Sequence, residues 1–161
     1  MNLVGISINH KTSPLELREA VHLSRNEIIE FIPRIKESLF SEGVVISTCN
    51  RTEIFGFPEN LGLDPTPLIE KLIEFKAGIG IKPEHFTKYF SCGAVKHLFS
   101  VSSGIDSMII GDSQILGQVK EAFEISEDLH FAGSILRRIF DTATRVGKRA
   151  IKETTIGEGA V

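Results

Sequence analysis

The sequence predicts an α+β fold: a small, mostly antiparallel sheet with helices packed on one face, followed by an appended helical segment. Two observations carry this. Strand-like stretches are confined to the first ninety residues, and apolar residues at helical spacing fill the second half. At 161 residues, 42% hydrophobic and 24% charged, the chain is long enough for one well-buried core.

The elements follow in order. Leu3 to Asn9 alternates, with Val4, Ile6 and Ile8 on one face of a first strand, and His10-Lys11-Thr12-Ser13-Pro14 breaks it. Ser24 and Glu27 fit a capping box, and Ile28, Phe31, Ile32, Ile35 and Leu39 continue at helical spacing, predicting a helix from about Arg25 to Phe40 with a kink at Pro33. Val44-Val45-Ile46 begins a buried strand and Thr52 to Phe57 a neighbouring one. Asp64-Pro65 starts a helix carried by Leu68, Leu72 and Phe75 and ended by Gly78 and Gly80. Phe86 to Phe90 is a short strand. Ser91 is placed to cap the next helix, which holds Ala94, Val95, Leu98 and Val101 and closes at Gly104. Two more helices run from about Ser113 to Asp128 and from Gly133 to Glu153. The stretch Thr154 to Val161 is polar and glycine-containing, with nothing predicted to fold back on it, which reads as a chain cut from a longer one.

Several function classes are disfavoured. Apolar runs are far shorter than the ~20 residues that cross a bilayer, and the N-terminus has no secretory pattern, so a cytoplasmic chain without membrane contact is expected. Cys49 and Cys92 lack CxxC partners and a nearby histidine pair, which predicts reduced thiols and no metal site. A net charge of -3 argues against generic nucleic-acid binding. Basic residues nevertheless gather between Ser134 and Lys152, where Arg137, Arg138, Arg145, Lys148, Arg149 and Lys152 face the single acid Asp141. Either a solvated helix face or contact with a polyanion backbone accounts for them.

Chemistry concentrates at Cys49. A buried strand running into Ser47-Thr48-Cys49-Asn50-Arg51 brings the thiol to the edge of the core, and extended geometry projects Cys49, Arg51 and Glu53 to one side. Arg51 would favour the thiolate or anchor a carboxylate, and Thr48 and Asn50 offer polar contacts. Residue types alone are equally satisfied by an inert core cysteine beside a surface Arg51–Glu53 pair.

Three separated motifs narrow the choice. "NHKTSPLELRE" (Asn9 to Glu19), "STCNRTE" (Ser47 to Glu53) and "GIDSMIIGDSQILGQVKEAF" (Gly104 to Phe123) together closely resemble the N-terminal catalytic domain of the glutamyl-tRNA reductases, over the whole of residues 1–161. Asp112-Ser113 stands where that family usually has Glu-Pro, a position where Ser113 can still cap.

The resemblance implies that Cys49 attacks the ester of glutamyl-tRNA and holds glutamate as a thioester, which NADPH reduces to glutamate-1-semialdehyde in tetrapyrrole synthesis. It implies substrate recognition by Arg51, assistance by His97 of "AVKHLF", and a pocket rim of Asn9, His10, Lys11, Thr12, Ser107 and Gln114, joined by Thr48 and Asn50. Cys92 has no part in the motifs and reads as structural. The resemblance further implies that NADPH binds a domain absent from this chain, since no G-x-G-x-x-G follows a strand. It also implies that residues 133–161 lead toward a spinal helix, that a dimerisation domain makes the whole protein a homodimer, and that a downstream aminomutase is a partner. A redox-sensing or partner-binding module with Cys49 as sensor, and a cysteine hydrolase using Cys49 and His97, are the alternatives.

Overall fold

A computed structural model describes residues 1–36, 38–59, 62 and 64–159. Residue 37 of the helix predicted from Arg25 to Phe40 and the last two residues of the predicted tail, Ala160 and Val161, lie outside the described residues. The elements are β1 (Val4–Asn9), α1 (Leu15–Val21), α2 (Arg25–Lys36), β2 (Phe40–Thr48), β3 (Arg51–Pro58), α3 (Thr66–Lys76), β4 (Thr87–Phe90), α4 (Cys92–Ser102), α5 (Gln114–Asp128) and α6 (Ser134–Glu153). The four strands form one sheet in the order β2-β3-β1-β4, and every pairing is antiparallel. Order and connectivity make a split βαβ arrangement, in which β3 enters between β1 and β2.

Alternation along each strand sorts its side chains onto two apolar layers. Val4, Ile6 and Ile8 of β1, Val45 of β2 and Ile54 of β3 pack with α1, α2 and α3. Val44 and Ile46 of β2 and Phe55 of β3 point the opposite way and pack with α4, α5 and α6. Helices therefore cover both faces of the sheet, not one, and the helical second half is the second layer of the domain rather than an appendage. Period-2 patterning showed which β1 residues are apolar; it did not show that β2 and β3 are apolar on both sides.

Three local readings change. A helix, α1, occupies Leu15–Val21 where the sequence suggested only a break; with Val21 its one buried residue, it carries no periodic apolar signal. The strand β2 begins at Phe40, inside the segment expected to be helical, and an irregularity between Phe40 and Glu42 opens it. Ser91 does not cap α4 through its side chain: its hydroxyl donates to the Met1 carbonyl at 2.8 Å, tying the N-terminus to the sheet. The tail also differs, since Ile156 packs its carbonyl against Gly111 so closely that a Cβ at residue 111 would overlap it.

The capping box forms as read. The Ser24 N–H donates to the Glu27 carboxylate at 2.7 Å and the Glu27 N–H to the Ser24 hydroxyl at 3.3 Å. Lys76 of α3 also reaches Glu27. These contacts, Lys76 first, pull the Glu27 carboxyl down to about 2. A lowered carboxyl stabilises the fold fully above its ordinary value near 4.5, and that stabilisation is lost as pH falls toward about 2. Glu27→Gln is expected to lower the unfolding free energy by about 1 kcal/mol at neutral pH, allowing for solvent screening. Most of that difference should vanish near pH 2, as urea titrations of both proteins at the two pH values would show.

Candidate active site

The hairpin joining β2 to β3 closes with Thr48 opposite Arg51, which leaves Cys49 and Asn50 as its two-residue tip. The tip is held from both sides. The Asn50 N–H donates to the Thr48 hydroxyl at 3.2 Å, and the His10 N–H donates to the Asn50 carbonyl at 3.1 Å. Cys49 stands exposed at this tip with no disulfide partner. A thiol in that position is open to a large electrophile.

Directly behind the tip, β3 turns polar toward the second layer. Arg51 is 2% exposed and Glu53 fully buried. The Arg51–Glu53 pair is thus part of the core and not the surface pair that residue types allow. Register explains the placement: Asn9 of β1 lies opposite Arg51, Ser7 opposite Glu53 and Gly5 opposite Phe55, so the β1 side chains on this face are small or polar. The Ser7 hydroxyl donates to Glu53 Oε1 at 2.7 Å, and the Asn9 amide donates to the Ser7 hydroxyl at 2.9 Å.

Glu53 Oε1 also receives Arg51 Nη1 at 3.2 Å and His97 Nε2 at 2.9 Å. A carboxylate has no proton to give, so Nε2 carries the hydrogen and Nδ1 is the free ring nitrogen. The ring lies on Tyr89 of β4, with centroids 4.0 Å apart and planes 8° from parallel, and Phe55 stands 6.1 Å away. Gly5 permits that crowding, because a Cβ there would meet the Phe55 ring at 3.0 Å. Burial, then the charges of Glu53 and Asp106, raise the Tyr89 phenol above its ordinary value.

The loop between α4 and α5 supplies the last wall. Gly104 and Gly111 take φ of 78° and 84°, conformations that side chains disfavour, and the Gly111 N–H closes the loop on the Gly104 carbonyl at 3.0 Å. Asp106 in this loop accepts Arg51 Nη1 at 3.1 Å through its carboxylate and Arg51 Nη2 at 2.6 Å through its carbonyl. Lys11 adds a contact to the Asp106 carboxylate at 2.6 Å. Burial alone would push the Asp106 carboxyl up, but Lys11 and Arg51 outweigh it and hold it below the ordinary value. His10 is displaced in the neutral direction: burial first, then Arg51, Lys11 and Arg18, lower its pKa against the opposing charge of Asp106.

The structure gathers Thr48, Cys49, Asn50 and Arg51 on one hairpin, brings His97 to the same carboxylate as Arg51, and buries Ser107 one residue past Asp106. Gln114 is exposed at the first residue of α5. Ser113 does not cap that helix through its side chain; Asp112 does, accepting the Gln114 N–H at 2.9 Å. His97 bonds Glu53 rather than Cys49, so the structure shows no ready thiol–imidazole pair of the kind a cysteine hydrolase needs. Ligand atoms of Glu53, His97 and Asp106 lie within 4.8 Å of one another, but the Arg51 guanidinium already bonds both carboxylates and supplies the positive charge a cation would bring. Cys92 is exposed at the start of α4, beside an apolar groove against α6 and away from these contacts.

The family model for the glutamyl-tRNA(Glu) reductase N-terminal domain matches residues 6–154. This chain belongs to that family. The glutamyl-tRNA reductase of Chlorobium phaeobacteroides (strain DSM 266 / SMG 266 / 2430) is 47% identical over 163 aligned positions, covering 100% of this chain and 38% of the relative. The enzyme of Chlorobium limicola is 45% identical over the same shares. Among solved structures, glutamyl-tRNA reductase from Methanopyrus kandleri superposes with a TM-score of 0.78 at 31% identity, over 94% of this chain and 35% of that one. The chain spans little more than a third of the length of these glutamyl-tRNA reductases.

Among the described residues no strand passes through a glycine-rich turn into a helix: β1 continues through His10–Pro14 to α1, β4 through Ser91 to α4, and the described residues between β3 and α3 hold one glycine, Gly62. They do not fit a nicotinamide dinucleotide pyrophosphate. Among the described residues no helix is long and apolar enough to cross a membrane. Asp106, Ser7 and Tyr89 are site residues that sequence reasoning did not single out, and Glu53 was read there only as a neighbour of Arg51.

Because Glu53 compensates a buried arginine, its removal leaves that charge without a partner. Glu53→Ala is expected to cost about 3–5 kcal/mol of stability, and Ser7→Ala about 1–2 kcal/mol, measured by chemical denaturation at neutral pH.

Proposed function

We propose that this chain is the acyl-accepting part of a glutamyl-tRNA reductase, in which Cys49 takes the glutamyl group from glutamyl-tRNA. The observation that supports it most is the exposed Cys49 at the tip of a hairpin whose next strand bears the Arg51–Glu53–His97 network. The thiolate attacks the ester carbonyl, a C–S bond forms and the C–O bond to the terminal ribose breaks. The ribose oxygen leaves with the electron pair and takes up the proton that the thiol lost. Sulfur suits both events, being a strong nucleophile near neutral pH and giving a thioester more reactive than the ester it replaces.

The neighbours have separable roles in this reading. Arg51 spends three of its N–H donors on Glu53 and Asp106 and has about two more for the free carboxylate of the glutamyl group. His97 is held by its Nε2, so any proton it passes to the leaving oxygen moves through Nδ1. Thr48, Asn50, Ser107 and Gln114 contact the substrate from the hairpin and the α4–α5 side.

Reduction to glutamate-1-semialdehyde, with hydride from NADPH, is assigned to a domain outside these 161 residues, as are homodimerisation and the partnership with a downstream aminomutase. On this view α6 leads toward the spinal helix, and the pathway is tetrapyrrole synthesis in the cytoplasm.

Intact mass after brief incubation with glutamyl-tRNA tests the proposal. A single glutamyl adduct is expected on the native chain and on Cys92→Ser, and none on Cys49→Ser. Glutamate should be released slowly, and added NADPH should give no semialdehyde. A redox-sensing module would show neither adduct nor release, and a plain hydrolase would turn over simple esters without tRNA; either result overturns the proposal.

A further inference from the structure

The segment that leaves β1 and forms α1 wraps the end of the catalytic hairpin and carries polar groups that the protein itself leaves without partners. The His10 N–H is bonded to the Asn50 carbonyl beside Cys49. At the other end of the segment, the Thr52 hydroxyl donates to the Val21 carbonyl at 3.4 Å, and the Leu23 N–H donates to the Ser47 hydroxyl at 2.9 Å. The nine residues from His10 to Arg18 are thereby strapped to the hairpin that presents the thiol. Within them, His10 Nδ1, Ser13 Oγ, Arg18 Nε and Arg18 Nη1 are buried and have no hydrogen-bond partner among the described residues.

A guanidinium with two buried nitrogens and no acceptor bears an uncompensated desolvation cost, which an anion removes. Arg18 differs in this from Arg51. Arg51 is bonded to two carboxylates and a carbonyl, whereas no carboxylate among the described residues pairs with Arg18. The segment folds back on itself, the Ser13 N–H donating to the Asn9 carbonyl at 3.0 Å and the Arg18 N–H to the Pro14 carbonyl at 3.2 Å, and the charges of Arg18 and Arg51 both act on the His10 imidazole. Arg18 is thus a cation of this segment whose charge no described residue offsets.

We propose that His10, Ser13 and Arg18 form an anion-binding locus beside the Cys49 tip, where Arg18 takes an oxyanion of the acyl-tRNA substrate. This deepens the acyl-transfer reading and rests on it. The substrate offers two such groups, the side-chain carboxylate of the glutamyl unit, which Arg18 would share with Arg51, and the phosphodiester next to the terminal ribose. Ser13 and His10 complete the locus, the first with a hydroxyl donor and the second with a ring nitrogen, Nδ1, that can carry a hydrogen toward the anion.

The test uses the native chain and small anions, independently of acylation. Glutarate and inorganic phosphate are titrated separately while the ring resonances of His10 are followed by NMR. Each is expected to shift them saturably. Arg18→Gln should weaken that binding at least about fivefold, and Arg18→Lys, which keeps the charge, should weaken it about twofold or less. Arg137→Gln, on the distant face of α6, should leave it unchanged. Preference for glutarate assigns the locus to the glutamyl carboxylate, and preference for phosphate to the tRNA backbone. Absence of a saturable shift, or equal affinity in Arg18→Gln, overturns the proposal. If Arg18→Gln does not fold, Ser13→Ala takes its place: weaker anion binding than native upholds the locus, and affinity equal to native overturns it. A chain that binds these anions through Arg18 but forms no adduct with glutamyl-tRNA contradicts the acyl-transfer reading and not the locus.

Discussion

One buried carboxylate oxygen holds this site together. Oε1 of Glu53 accepts from Ser7 on β1, Arg51 on its own strand and His97 on α4. Through Arg51 the network extends to Asp106 on the α4–α5 loop, and through Asp106 to Lys11 beyond β1. An arginine 2% exposed is tolerable only because those acceptors are fixed in place before any substrate arrives. The arrangement is therefore a constraint on four separate parts of the chain, each of which must reach the same few ångströms.

The sheet makes that convergence possible. Antiparallel pairing sets Ser7 against Glu53 and Asn9 against Arg51, so the polar residues of two strands share one face and one end of the sheet. On the same face, toward the middle, Phe55 and Tyr89 crowd over Gly5 and give the His97 ring a surface to lie on. The apolar second layer from α4, α5 and α6 seals this polar end from solvent. Meanwhile the hairpin continues two residues past the sheet and carries Cys49 outside the seal. A rigid, buried set of charges and an exposed thiol are thus produced by neighbouring residues of one hairpin.

How legible this was depends on the range of the interaction. Strand alternation at Val4, Ile6 and Ile8, the Ser24–Glu27 capping box and the helical spacing of α5 and α6 are local patterns, and the structure contains all of them. The helix α1 was not legible because it buries one residue and so has no apolar period. The second face of the sheet was missed for a related reason: continuous apolar runs in β2 and β3 do not say which neighbours will cover each side. At the site, Cys49 and Arg51 stood out by residue type and His97 by family resemblance. Glu53 looked like half of a surface pair, because its burial depends on the β1–β3 register and on where α4 lands. Asp106 and Tyr89 come from residues distant in sequence, and no local spacing marks them.

The claim that Glu53 fixes the geometry of the site reduces to the position of one proton. Nitrogen-15 NMR of the His97 ring in the native chain near neutral pH measures it. The account predicts a protonated Nε2, donated to Glu53, which is lost or redistributed in Glu53→Gln. An unprotonated Nε2 in the native chain would contradict it, since the carboxylate would then have no hydrogen to accept and could not be what orients His97.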